Sequence, residues 1–234
     1  MIRFAFKTVS RVIALALAVI IAILAVTFVN DYYKADESAL CCTYEEMEDG
    51  SLVCRPENAV AGLIFYPGAK VEHTAYLPLM ETLAERGILS VIIKMPLRLA
   101  FLDVNAADGI PEMFPEIDRW YIGGHSLGGS MAASYLEGHP ELSGIILLAS
   151  YSTADITDSR ALSIYGTEDE VLNHAQYLIN KTNLPKDLTE VVIQGGNHAY
   201  FGHYGEQNGD GAATIERSLQ IELTADAISE FIKK

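Results

Sequence analysis

The chain has 234 residues, half of them hydrophobic, and carries 16 Lys and Arg against 31 Asp and Glu for a formal net charge of −15. That length buries one good core and leaves little room for a second domain. The acidic balance excludes a phosphate-backbone partner, because nucleic-acid binding draws most of its affinity from clustered Lys and Arg.

The N-terminus opens with Arg3, Lys7 and Arg11 and runs on without a charge from Val12 to Val29. These 18 residues reach the lower limit for spanning a bilayer. Their Leu, Ile, Val and Phe side chains together favour insertion by roughly 4–7 kcal/mol on a residue-insertion scale. The basic flank stays cytoplasmic by the positive-inside rule, which puts the chain beyond Asp31 on the outer side. The run exceeds the apolar core of an ordinary signal peptide, and no A-x-A cleavage site occurs between Thr27 and Tyr33. The expectation is a cytoplasmic tail at 1–11 and a transmembrane signal anchor at 12–29. The domain beyond it is extracytoplasmic, and secreted if the segment is cleaved.

Residues 30–58 are acidic and mixed, and read as a linker that becomes the first strands. All three cysteines, Cys41, Cys42 and Cys54, lie in this stretch, ahead of the expected catalytic core, which argues against a catalytic thiol. In an oxidising compartment Cys54 can pair with Cys41 or Cys42 across a hairpin turning near Asp49-Gly50; three free thiols is the other reading.

From Ala59 the texture changes, and 59–234 reads as one folded domain. Short apolar runs at Val60–Tyr66, Leu89–Ile93, Trp120–Ile122, Gly144–Leu148, Leu162–Tyr165 and Val191–Ile193 alternate with helical patterns. Continuous apolar strands imply burial on both faces. The helices fall at Tyr76–Arg86, Leu127–Glu137, Val171–Lys181 and Thr214–Ile232. The alternation predicts a doubly wound α/β domain with a mostly parallel sheet. Little sequence separates Leu148 from Leu162, so no large lid is expected there and the site should be open.

Gly124-His125-Ser126-Leu127-Gly128 follows one predicted strand and precedes a helix rich in small residues. A strand, a sharp turn and a helix are what a nucleophile elbow requires, and its flanking glycines leave room for the strained turn. A serine hydroxyl needs a base, and the base needs an orienting carboxylate. Asp169 follows the run Leu162–Tyr165, with Glu168 and Glu170 as its rivals. His198 follows Val191–Ile193 and two glycines, with His203 as its rival. His125 reads as a packed or rim residue, and His73, His139 and His174 as surface positions. An oxyanion hole needs two backbone N–H donors. Leu127 supplies one, and the loop Tyr66-Pro67-Gly68-Ala69-Lys70 the other, with Ala69 preferred and Gly68 second. Tyr151, Tyr200, Phe201 and Tyr204 can line an acyl pocket or simply pack.

Phe65-Tyr66-Pro67-Gly68, Gly123-Gly124-His125-Ser126-Leu127-Gly128-Gly129, Tyr165-Gly166-Thr167-Glu168-Asp169 and Gly195-Gly196-Asn197-His198 together resemble the small bacterial α/β-hydrolases related to the dienelactone-hydrolase group. The resemblance covers about Ala59–Lys234. It implies the α/β-hydrolase fold and acyl-ester chemistry through an acyl-serine; Ser126, Asp169 and His198 are the catalytic residues expected from the motifs themselves, and no metal or cofactor is expected, since no Cys/His metal spacing occurs. Dienelactone hydrolases carry a cysteine where this chain has Ser126, and many lipases have His-Gly where it has Pro67-Gly68, so neither lactone hydrolysis nor lipolysis transfers. The expected partners are a small-molecule or lipid-like ester and, through the N-terminal helix, a membrane. A silent binding module and an acyltransferase are the alternatives.

Overall fold

In a computed structural model, which describes Leu17, Val26, Thr27 and residues 29–234, the chain forms an eight-stranded sheet. Its strands are β1 (Glu45–Glu46), β2 (Leu52–Cys54), β3 (Ala61–Tyr66), β4 (Ile88–Ile92), β5 (Trp120–His125), β6 (Ile145–Leu148), β7 (Ala161–Gly166) and β8 (Thr189–Ile193). The order across the sheet is β1-β2-β4-β3-β5-β6-β7-β8. Strands β3 to β8 pair in parallel, while β2 runs antiparallel to both β1 and β4.

Alternation along the strands builds the two layers that cover this sheet. Leu63 and Phe65 enter one hydrophobic cluster, whereas their neighbours Ile64 and Tyr66 enter the other. Successive strand side chains point to opposite faces, so a strand apolar at every position must be covered on both. On the first face lie helices α1 (Leu77–Glu85), through Leu79, Met80 and Leu83, and α5 (Arg217–Lys233), through Ile221, Ala225, Ile228 and Phe231. On the second lie α2 (Ile110–Met113) and α3 (Leu127–Leu136), the latter through Ala132, Ala133 and Leu136. A short α4 (His174–Asn180) buries Tyr177. Deleting one of these side chains, as in Leu63→Ala, should cost about 2–5 kcal/mol.

All six expected strand runs are present, with no end shifted by more than three residues. Two helices start three residues later than expected, each for a local reason. Before α4, Asp169 takes the N–H groups of Val171 and Leu172, and Asn173 then caps the helix by accepting from the N–H of Gln176. Before α5, the N–H of Thr214 still donates to Gly195 O, holding the chain against the loop after β8.

The segment 30–58 contributes a hairpin, β1 and β2, turning at Asp49-Gly50 and zipped onto β4 through Leu52, Val53 and Cys54. The compact unit that holds the sheet accordingly runs from Tyr33 to Lys234. No disulfide forms within it: all three cysteines are free thiols. Burial pushes both Cys42 and Cys54 up to about 12, with Glu81 adding to the shift, so they stay protonated. His73 and His139 are half-buried rather than on the surface. His73 Nε2 contacts Gly50 O at 3.1 Å, and His139 stacks on Tyr135 at 3.7 Å.

The tail 1–11 and most of the apolar run 12–29 lie outside the described residues. Among the described residues no helix is long and apolar enough to cross a membrane.

The sheet order decides where a site can form. From β3 the chain moves to β4 on one side, then returns to β5 on the other. The connections after β3 and β5 therefore part company, opening a crevice at the C-terminal ends of these strands. The connection from β6 to β7, residues 149–160, contains no helix and forms no large lid.

Candidate active site

Ser126 stands between the end of β5 and the start of α3 with φ 54° and ψ −124°. Such a conformation costs a non-glycine residue about 1–3 kcal/mol and persists only where the surroundings enforce it. Here they do. The Ser126 N–H donates to Leu148 O at 2.9 Å, and its carbonyl accepts from Ser150 Oγ at 2.7 Å and from the N–H groups of Gly129 and Ser130. A Cβ on Gly124 would lie 2.5 Å from the Gly128 carbonyl carbon, and one on Gly128 would lie 2.1 Å from Tyr66 O. The turn closes only because both positions lack a side chain.

At the end of β7 the chain places Asp169, whose side chain is fully buried. Its Oδ1 accepts from the N–H of Val171 at 3.0 Å and of Leu172 at 2.8 Å, which fixes the carboxylate plane. Past the end of β8, His198 turns its Nδ1 to the same carboxylate, 2.9 Å from Oδ2 and 3.1 Å from Oδ1. That contact sets the tautomer: Nδ1 carries the proton and Nε2 has a free lone pair. His198 Nε2 is buried without a hydrogen-bond partner among the described residues. His198 and Ser126 line one cavity of about 230 Å³, together with Leu127, Ser130, Tyr151 and Leu172. A larger cavity of about 340 Å³, walled by Pro67, His73, Lys94 and Leu97, contains neither residue.

The rivals face elsewhere. Glu168 is half-buried and accepts from Thr167 Oγ1, and Glu170 is exposed. His203 contacts Ser38 Oγ through Nδ1, and burial, with Arg217 adding, holds it below the usual histidine range. Of the aromatic candidates, Tyr151 lines the cavity with Ser126. Phe201 and Tyr204 are buried and pack within 6.5 Å of the His125 ring, while Tyr200 lies under the Arg217 guanidinium.

His125 is itself fully buried, with its ring 4.5 Å from that of His198 and its Nδ1 2.9 Å from the Tyr76 hydroxyl. Burial, then the neighbouring His198, pushes it well below its ordinary value, so it is neutral. The backbone of His198 opposes that shift, although His125 Nε2 makes no hydrogen bond among the described residues. Of the two expected oxyanion donors, Leu127 lines the cavity with Ser126, and Ala69 is not among that cavity's lining residues. Leu127 opens α3, where the first N–H groups have no intrahelical acceptor. In the loop after β3, the Gly68 N–H is consumed by Tyr76 Oη at 3.0 Å, while the Ala69 N–H finds no acceptor among the described residues.

Two residues that the sequence reading missed hold the His198 loop. Asp210 Oδ2 accepts from the N–H of Ala199 at 2.9 Å, and its Oδ1 from that of His198 at 3.3 Å. Gln220 in α5 is fully buried and clasps Asn197 on both sides, accepting from its N–H at 3.0 Å and donating to its carbonyl at 2.8 Å. A glutamine beside Ile221 on the apolar stripe of α5 was a readable signal, because a buried amide needs partners. Asp210 left none, since its partners lie 11 and 12 residues away across a loop.

The alpha/beta hydrolase family matches residues 62–222. Among solved structures, the fold is similar to dienelactone hydrolase from Anabaena variabilis, with a TM-score of 0.59 and 14% identity over 82% of this chain and 97% of that one. It is also similar to Est1E from Butyrivibrio proteoclasticus, with a TM-score of 0.58 and 16% identity over 82% and 99% of the two chains. A thermophilic esterase, Est2 from Thermogutta terrifontis, aligns with a TM-score of 0.56 and 12% identity over 81% and 91%. No curated protein matches the sequence significantly. With the family match spanning more than half of the chain and the sheet ordered as described, the protein belongs to the alpha/beta hydrolase family.

Proposed function

We propose that the protein is a serine hydrolase that cleaves carboxylic esters through an acyl-serine intermediate, with Ser126, His198 and Asp169 as its catalytic triad. Ser126 Oγ attacks the ester carbonyl while His198 Nε2 takes its proton. Asp169 holds the imidazole in the required tautomer and stabilises the imidazolium that forms. The tetrahedral oxyanion accepts from the N–H groups of Leu127 and Ala69, each donor worth on the order of 10²–10³ in rate. The intermediate collapses, the C–O bond breaks, and the imidazolium returns its proton to the departing alcohol. Water then repeats the sequence on the acyl-enzyme and releases the acid.

The observation that carries this reading is the polarity of His198: one ring nitrogen is tied to a buried carboxylate, the other is buried without a partner among the described residues, and the residue lines the same cavity as Ser126. Family membership supports hydrolysis. The N-terminal run 12–29 supports attachment to a membrane, with residues 59–234 on the outer side acting on a small-molecule or lipid-like ester at that surface.

The test is labelling of the detergent-solubilised full-length protein by a fluorophosphonate, alongside hydrolysis of p-nitrophenyl esters of graded chain length. Ser126→Ala should abolish labelling and lower turnover by on the order of 10⁶. Wild-type protein that neither labels nor hydrolyses any ester would leave a binding module instead.

A further inference from the structure

A buried phenol ties two loops of the site together. Tyr76, just before α1, is fully buried, and its hydroxyl sits between the loop after β3 and the elbow after β5. Tyr76 Oη accepts from the Gly68 N–H at 3.0 Å and lies 2.9 Å from His125 Nδ1. A hydroxyl has a single hydrogen, and among the described residues His125 Nδ1 is the acceptor within its reach, so the phenol donates there. Burial raises the phenol far above its ordinary value, which keeps that proton in place. The space around this bond is closed: a Cβ on Gly68 would lie 2.8 Å from His125 Nδ1 and 2.9 Å from Tyr76 Oη.

Peptide geometry carries the consequence to the next residue. The Gly68 carbonyl accepts from the N–H of Val71 at 3.2 Å, and no peptide here is cis. In a planar trans peptide the carbonyl of one residue and the N–H of the next point in opposite directions. With Gly68 held by its N–H on Tyr76 and by its carbonyl on Val71, the direction of the Ala69 N–H is fixed.

We propose that Tyr76 is a positioning residue, whose hydroxyl holds the Gly68-Ala69 peptide in register with the Ser126 elbow so that the Ala69 N–H meets the developing oxyanion. This rests on the triad reading above. The hydroxyl makes no contact with substrate; it acts through the Gly68 backbone and through His125, the residue that precedes the nucleophile.

The experiment compares Tyr76→Phe with wild type, both as full-length protein, with active sites counted by fluorophosphonate titration. A misplacement of about 1 Å at a reacting centre costs on the order of 10² in rate. Turnover per titrated Ser126 should therefore fall roughly tenfold to a hundredfold with KM within about threefold, because the donor acts on the transition state. Tyr177→Phe, which removes a buried hydroxyl paired with Ser163 outside the cavity, is the control and should retain wild-type turnover. Wild-type turnover per titrated site in Tyr76→Phe overturns the proposal even if its melting temperature falls. Should that variant not fold, Gly68→Ala reads the same bond, since its methyl group would force Tyr76 and His125 apart. An unchanged turnover there, or failure of both variants to fold, withdraws the positioning role. Absence of labelling in the wild type would instead strike at the triad itself.

Discussion

His198 and Asp169 meet between two strand ends, Nδ1 lying 2.9 Å from Oδ2, with neither side chain more than 1% exposed. Sealed from water, an ion pair that forms during proton transfer is little screened, so the carboxylate counts for more than it would at a surface. It is also committed elsewhere, to the backbone of Val171 and Leu172, and cannot rotate to follow the ring. Geometry of this kind makes the two residues a unit.

Units are non-additive. His198→Ala and Asp169→Asn should each lower turnover by several orders of magnitude, and the double variant should be little worse than the poorer single one. Glu168→Gln and His203→Ala, the neighbouring carboxylate and imidazole, should stay within about threefold of wild type. Steady-state kinetics on all five proteins decides the point, and near-additive losses would mean that the residues act separately.

Gln220 should matter to both stability and turnover. Gln220→Ala strips the buried Asn197 of partners for its N–H and its carbonyl at once. Each orphaned group costs about 1–3 kcal/mol. A clear drop in the urea midpoint is expected, with reduced turnover at temperatures where the variant remains folded, because His198 is the next residue in the chain. A midpoint shift equivalent to less than about 0.5 kcal/mol, typical of an ordinary surface change, would contradict the clasp.

Stability should fall on mild acidification. His73, His125 and His203 all lie below the ordinary histidine value of 6.5 in the folded protein, in each case chiefly through burial. The folded state thus binds their protons less tightly than the unfolded chain. Above about 6.5 all three are neutral in both states; below it the unfolded chain takes up protons that the folded one refuses, and stability declines with falling pH. Urea midpoints at pH 7.5 and 5.5 measure this, and His125→Asn should flatten the slope. A midpoint higher at pH 5.5 in the wild type would reverse the assignment.

The topology inferred from Arg3, Lys7 and Arg11 has its own measurement. A reporter fused after Lys234 should behave as extracytoplasmic, and carbonate-washed membranes should retain the full-length chain. A reporter active in the cytoplasm overturns it.

Local stereochemistry was readable from the sequence alone. Runs such as Val60–Tyr66 and Trp120–Ile122 announce covered strands because side chains alternate with a period of two, whatever lies far away in the chain. The elbow at Ser126 was legible for the same reason, since its glycines answer to contacts within a few residues and to one neighbouring strand end. What the tertiary structure decided was which near neighbours meet. His198 pairs with Asp169 while Glu168 meets Thr167 and His203 meets Ser38, and Tyr76 takes the Gly68 N–H but not that of Ala69, all of which depends on which strand ends converge. Convergence arises from the order β4-β3-β5 and from long-range bonds such as Tyr76 to Gly68 and Gln220 to Asn197. The docking of β2 onto β4, which draws residues 33–58 into the folded unit, belongs to the same class. Antiparallel pairing across more than thirty residues leaves no periodic mark in either partner, because it is set by the sheet edge left open when the other strands have assembled.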